Sequence, residues 1–269
     1  MALRVAIITM VYNEDFFLPK WCQYYGSQFG YENLFIIDHG STDGSTSCVP
    51  GNIIRIPRIN FDDTKRTQSI SLFQNSLMGY FDAVIYVDCD EFLVPNKKLY
   101  ENLRKYVDTH ADFKIIRAVG VDVMQESIDS HSINLEYPFL SQREYGYFSP
   151  WETKPLLTYT AVEWSPGFHN VNKPSILDEN LWLLHLKDID LSRSLNRMAL
   201  TRNLKWSDHA LKTGGGSHQR LDDKDVIEKF ENIIKTKENK FLLPSEAMSY
   251  ISEHRISNLM IIPDEFKVC

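Results

Sequence analysis

The 269-residue chain has only four cysteines, Cys22, Cys48, Cys89 and Cys269, and no two of them stand in C-x-x-C spacing. That excludes the usual signatures of a structural zinc site and of a disulfide-stapled small domain, and a reducing cytoplasm is the simplest home. No stretch comes near the roughly 18 consecutive apolar residues that a membrane-spanning helix requires. Met1-Ala2-Leu3-Arg4 followed by VAIITM is too short an apolar run for a signal peptide, and the acidic Glu14 and Asp15 follow it. Positive charge is also in deficit, with 29 Lys and Arg against 36 Asp and Glu and a formal net charge of −7. A chain of that balance does not coat nucleic acid, so no nucleic-acid partner is expected. Internal repeats and low-complexity tracts are absent as well.

What remains is 43% hydrophobic and 24% charged, ample for one large α/β domain with a C-terminal appendage. The runs RVAIITM (4–10), LFIID (34–38), NIIRI (52–56), AVIYV (83–87) and FKIIRAV (113–119) are compact, apolar and strand-like. Between them, Phe17, Trp21, Tyr24 and Tyr25 recur at helical spacing and predict a helix that stops near Gly30. From Arg66, the residues Ile70, Phe73 and Leu77 mark a second helix ending at Gly79, and Leu99, Leu103, Tyr106 and Val107 mark a third. Alternating strands and helices predict a Rossmann-like, mostly parallel sheet flanked by helices. Short strands are expected at LLTYTAV (156–162) and LWLLHL (181–186). A basic helix is expected over 188–212, a flexible break at Gly214–Ser217, and a last amphipathic helix through Val226, Phe230, Ile233 and Ile234. The division that follows is a nucleotide-sugar-binding and catalytic part over 1–190 and a helical C-terminal extension over 191–269.

In such sheets ligands bind beyond the carboxyl ends of the strands, and the polar clusters fall there. In YVDCDEFLVP (86–95), extended backbone turns Asp88 and Asp90 to one face. Two carboxylates at the mouth of a buried strand repel unless a cation lies between them, and Mg2+ or Mn2+ suits oxygen donors. A bare D-x-D triplet also occurs by chance and can merely cap a following helix; its place after a fully apolar strand favours the metal. The loop after LFIID reads either as a tight turn with Asp43 and Gly44 as its turn residues or as the place where Asp38 meets a nucleotide's base or ribose. Asn13 or Asp15 reads as a helix N-cap.

Taken together, VYNE (11–14), IDHGSTDGS (37–45) and YVDCDEFLVP (86–95), each after a strand, resemble family 2 glycosyltransferases with the A-type nucleotide-sugar fold. The D-x-D-E-F-L-x-P form, with FQNSL (73–77) before it, resembles the branch related to the family 92 enzymes. Lys154, WSPGFH (164–169) and LLHLKDID (183–190) follow in the same order, so the resemblance spans residues 4 to about 190. It implies a nucleotide diphosphate sugar as donor, UDP being the commonest, and Mn2+ or Mg2+ as cofactor. Val11, Tyr12, Asn13, Glu14 and Asp38 would border the nucleoside, with Tyr12 stacking on the base. Arg66, Gln74 and Asn75 would lie beside the donor. Asp88 and Asp90 would hold metal and donor, with Asp90 ahead as the direct ligand, and Glu91 would face the sugar or fix the loop. A histidine late in the domain would complete the metal shell, His169 first and His185 second. Lys154, Arg143 and Lys187 would neutralise diphosphate charge, and Trp164 would be either core or a sugar platform.

The resemblance further implies inversion, with a carboxylate base for the acceptor hydroxyl. The downstream Glu-Asp pair that supplies it in the wider family is missing here, which leaves Glu163, Glu152 and Asp122 in that order. The acceptor implied is a glycan or a lipid-linked molecule of bacterial surface polysaccharide synthesis. The basic helix, carrying Arg193, Arg197, Arg202, Lys205 and Lys212, reads as a solvated face or as a surface for anionic lipid-linked acceptors or for the donor phosphates, with peripheral contact at the inner face of the membrane. Two other classes compete. A sugar nucleotidyltransferase usually has a glycine-rich basic loop after strand one, where this chain has VYNE. A nucleotide- or sugar-binding module without catalysis differs only in showing no turnover.

Overall fold

A computed structural model describes residues 2–267, so Cys269 lies outside the described residues. Ten strands form one sheet: β1 (Val5–Val11), β2 (Leu34–Asp38), β3 (Asn52–Arg55), β4 (Ala83–Tyr86), β5 (Glu91–Pro95), β6 (Ile115–Met124), β7 (Tyr145–Phe148), β8 (Leu157–Thr158), β9 (Ile176–His185) and β10 (Met260–Ile261). Seven α-helices accompany them: α1 (Phe17–Phe29), α2 (Asp63–Leu77), α3 (Leu103–Thr109), α4 (Leu191–Arg202), α5 (Asp208–Thr213), α6 (Asp223–Ile234) and α7 (Pro244–Ser252).

The parallel section expected from the strand–helix alternation is β3-β2-β1-β4. β1 is buried along all seven residues, as a strand covered on both faces must be. Beyond β4 the path continues through β8, β6, β7 and β10 by antiparallel pairs, and β9 runs parallel along the other edge of β6. α1 buries Phe17, Leu18, Trp21, Cys22, Tyr25 and Phe29 as one stripe and ends at Gly30, where φ is 89°. Asp62 caps α2 by accepting from the Lys65 amide at 3.1 Å, so this helix begins three residues before Arg66.

Several expectations need correction. The segment after D-x-D is a strand, β5, paired antiparallel with β9. Leu99 lies outside α3 and is 62% exposed. The basic segment is two helices, α4 and α5. Between them Trp206 tucks its indole N–H onto the Thr201 carbonyl at 3.0 Å, and its backbone bridges to Phe61. Within the glycine run only Gly216 is tightly packed: with φ of 68°, a Cβ there would meet the Trp206 ring at 2.4 Å, whereas a Cβ at Gly214 would meet nothing within 4 Å. No described helix is long and apolar enough to cross a membrane.

Residues 191–267 flank the sheet on both faces and add β10 at its edge: α4 and α6 cover Tyr147, while Tyr250 of α7 meets Phe148, the next residue of β7. Met198, Val226, Phe230, Ile233 and Leu259 pack with Met124 and Tyr147. Lys229 of α6 forms an ion pair with the buried Asp188. Burial opposes ionisation of Asp188, but Lys229 and Lys187 bring its pKa down to about 2. An unfolded aspartate titrates near 3.9, so the pair stabilises the fold above that pH and its contribution fades as pH falls towards 2. The expected result is a loss of about 2 kcal/mol between roughly pH 4 and 2, absent in Asp188→Asn. Urea midpoints of both proteins across that range would check it.

Candidate functional site

The carboxyl ends of β1, β2 and β4 open on one cleft of about 560 Å³. The start of α2, helix α4 and the 204–219 segment wall it. The sheet explains why acids gather there. In the β5–β9 ladder Glu91 stands opposite His185, and in the β6–β9 ladder Asp122 stands opposite the same histidine. Residues directly opposed across strands lie on one face and within contact. Pairings between residues 94 and 63 positions apart therefore put an imidazole between two carboxylates.

The side-chain geometry follows from that register. His185 Nδ1 is 2.6 Å from Asp122 Oδ1, while Nε2 points to Asp90 Oδ2 at 3.7 Å. Burial disfavours the imidazolium, but Glu152, Asp122 and Asp90 outweigh it and raise the pKa of His185 to about 10. Lys154 Nζ lies 2.5 Å from Glu91 and 2.6 Å from Glu152. Burial pushes both carboxyls up; Lys154 and His185 reverse this for Glu152, which is held well below the usual range, while Glu91 stays raised. Asp88 accepts from Tyr86 Oη at 2.6 Å and Arg66 Nη1 at 3.1 Å, and its amide donates to Glu91 at 2.9 Å. Against burial, Arg66 and Lys154 keep it ionised. Asp90 differs: among the described residues its carboxylate accepts no hydrogen bond, and it faces the cleft.

Glu91, Glu152 and His185 bring ligand atoms within 4.8 Å of one another. Lys154 already supplies the positive charge that the two glutamates need. The oxygen and nitrogen donors that a cation could use are instead Asp90 and, once the imidazolium gives up its Nε2 proton, His185, whose bond to Asp122 aims Nε2 into the cleft. A carboxylate fixing the far nitrogen is a common support for a metal-binding histidine. This donor set fits Mn2+ or Mg2+ with positions left for ligand oxygens.

At the β1 and β2 ends the sequence reading is partly redistributed. Val11, Tyr12 and Glu14 line the cleft. Glu14 caps α1 through the Phe17 amide at 3.2 Å and meets Arg193 and Arg197, each at 3.5 Å. Arg197 donates to the Tyr12 and Asn13 carbonyls, both at 3.0 Å, which pins α4 to the VYNE loop. Asn13 has a φ of 48° and is tied to Ser41 and Thr42. Asp38 is fully buried by its own loop, accepting from the Ser41 amide at 2.7 Å, Thr46 at 3.2 Å and Arg55 at 2.6 Å. It is a loop anchor, and His39 takes its place at the cleft.

Other candidates lie elsewhere. Gln74 is buried against Thr158 and the Thr160 carbonyl, and Asn75 accepts from the Val162 amide, so both hold the 158–162 segment beside α2. Glu163 is exposed and outside the cleft lining. Trp164 is core, its N–H on the Pro155 carbonyl, and Arg143 is buried on three carbonyls. His169 borders the cleft with Nδ1 on the Trp151 carbonyl at 2.8 Å. Lys187 borders it with no ion-pair partner among the described residues. Arg197 reaches the cleft from the basic segment, and Arg58 and His218, which no sequence pattern marks, reach it from connections.

No family model matches the sequence, and no curated relative matches it. Among solved structures, a mannosyltransferase from Pyrobaculum calidifontis in complex with GDP-Man and Mn2+ is similar at 17% identity, with 48% of this chain and 37% of that chain covered and a TM-score of 0.30. The chain thus spans little more than a third of that protein. Mannose-1-phosphate geranyltransferase from Thermus thermophilus is similar at 6% identity, with 96% of this chain and 74% of that chain covered and a TM-score of 0.34. Scores of this size carry no argument about ligand or reaction.

Proposed function

We propose that the protein is a metal-dependent glycosyltransferase that takes a sugar from a nucleotide diphosphate donor. One observation carries the reading: Asp90, a carboxylate that accepts no hydrogen bond among the described residues, faces a buried and carboxylate-oriented histidine across 3.7 Å at the mouth of the sheet. A divalent ion there, Mn2+ or Mg2+, would supply Lewis acidity for a leaving diphosphate. Asp90 and His185 would hold it, ahead of His169. Arg66 and Tyr86 hold Asp88 in place, and Lys187 offers its ammonium to phosphate oxygens. Lys154 keeps Glu91 and Glu152 together without excess charge.

The family resemblance implies inversion and a nucleotide diphosphate donor, UDP being the commonest across the family rather than a choice made by this cleft. The acceptor oxygen would then bond to the anomeric carbon as the bond from that carbon to the diphosphate breaks. Its proton would pass to a carboxylate. Of Glu163, Glu152 and Asp122, Glu152 is the ionised acid that borders the cleft, while Asp122 serves His185. The C-terminal part, from residue 191, is read as the outer wall of the donor cleft, and a glycan or lipid-linked molecule as the acceptor.

Isothermal titration with UDP, GDP, CDP and ADP, each with Mn2+ or with EDTA, tests the assignment. Binding of at least one nucleotide that EDTA weakens about tenfold or more is the expected result. No binding by the folded protein would sink the transferase and leave a sugar-binding module.

A further inference from the structure

In the sheet, β4, β1 and β2 lie side by side. Neighbouring strands are about 4.8 Å apart, so a nucleotide with its phosphates beyond β4 reaches the end of β2 with its base, about 10 Å away. Tyr12, His39 and Arg58 face the cleft there. The guanidinium carbon of Arg58 lies 4.0 Å over the Tyr12 ring, so it takes a ring face that the sequence reading gave to the base. Gly40, with φ of 79°, lets the β2 loop approach; a Cβ there would meet Arg58 Cβ at 3.0 Å and its amide nitrogen at 3.1 Å. Arg58 is thus placed from two sides.

The hydrogen-bonding character of this wall is one-sided. Arg58 has no acidic partner among the described residues, and its Nη1 lies 3.2 Å from His39 Nδ1. A guanidinium has no acceptor, so Nδ1 must accept, and the neutral imidazole carries its hydrogen on Nε2. Burial, with Arg58 and Arg66 nearby, pushes His39 down to about 4, which keeps it neutral at pH 7. Both groups therefore have hydrogens to give. The acceptors close by are engaged: Asp38 within its loop, Asn13 Oδ1 by the Thr42 amide, and the Tyr12 and Asn13 carbonyls by Arg197.

We propose that Arg58 selects the donor nucleotide, favouring a nucleoside diphosphate whose base shows two adjacent acceptor atoms; this rests on the nucleotide-sugar reading of the cleft. Guanine offers O6 and N7, the pair that the arginine fork matches best, and cytosine offers O2 and N3. Uracil sets an N–H between its two carbonyls, and adenine sets an amino group beside its ring acceptors. Arg58 is a specificity residue on this account, and Tyr12 positions it.

The test is titration of the full chain with GDP, CDP, UDP and ADP in Mn2+, for the wild type and for Arg58→Lys, which keeps the charge without the fork. The wild type is expected to bind GDP or CDP about 10- to 100-fold tighter than UDP and ADP, in line with one bidentate contact. Which of the two binds names the base. Arg58→Lys, checked for an unchanged unfolding midpoint, should bring the four within about threefold of each other while still binding. Tighter binding of UDP or ADP by the wild type overturns the proposal and leaves the transferase reading standing. So does a preference that survives in Arg58→Lys. No binding of any of the four overturns both.

Discussion

Asp90→Asn is expected to cut Mn2+-dependent nucleotide affinity by about 100-fold or more while leaving the unfolding midpoint within about 0.5 kcal/mol of the wild type. The two halves of that expectation come from one fact. Asp90 accepts no hydrogen bond among the described residues, and its charged neighbour His185 keeps Asp122 and Glu152, so asparagine in its place leaves no hydrogen-bond partner stranded. What it removes is one anionic oxygen donor beside His185 Nε2. Loss of a supporting second-layer residue alone costs a metal site about 10- to 100-fold, and a direct ligand costs at least as much. Asp88→Asn provides the contrast. Asp88 balances Arg66 and accepts from Tyr86, so its replacement should lower stability as well as binding. If Asp90→Asn binds nucleotide as tightly as wild type in Mn2+, and equally in EDTA, the metal does not sit at Asp90. The measurement pairs calorimetric titration with urea unfolding on the same preparations.

The parts of the site that a reader of the sequence can find are those made by local pattern. AVIYV running into Asp88, and LFIID ending on Asp38, locate two strand ends because a fully buried strand must be apolar until it leaves the core. Partnership between distant segments leaves no such mark. His169 reads as the better ligand because it sits in a glycine-bearing loop. Only the β5–β9 and β6–β9 registers put His185 between Glu91 and Asp122. Glu163 directly follows LLTYTAV, which reads as one strand, yet only Leu157–Thr158 pairs as a strand, and Glu163 points to solvent between the buried Val162 and Trp164. Asp38 is in the expected place with a different task, since Arg55 at the end of β3 and the serines and threonine of its own loop engage it. Arg58 follows a proline in a connection with no period at all, and nothing short of the folded loop brings it over Tyr12.

The largest expected effect on stability is at Lys154, whose side chain is 7% exposed between Glu91 and Glu152. Lys154→Met keeps most of the volume and deletes the ammonium. Two carboxylates that share one buried ammonium then face each other with only the His185 imidazolium, 3.7 Å from Glu152, left to offset them. Removing one member of a buried ionic cluster costs about 3–5 kcal/mol, far more than the cluster contributes relative to an apolar replacement of all its members. A chain of this size should lose about 10 °C in melting temperature, at roughly 2–4 °C per kcal/mol. Burial already raises the Glu91 carboxyl with Lys154 present, so without it Glu91 takes up a proton first as the pH falls. The defect should therefore be greatest near neutral pH and shrink on acidification, because the protonated acid no longer repels Glu152. By the same reasoning the double variant Lys154→Met/Glu91→Gln should recover a large part of the loss, with coupling well beyond the ~0.5 kcal/mol of independent sites. Urea unfolding of the wild type, both single variants and the double variant at pH 5 and pH 7.5 decides the matter. A Lys154→Met protein as stable as wild type at pH 7.5 would show that the ammonium is not what holds the two acids together. The cleft's charge balance would then have to come from a cation bound there.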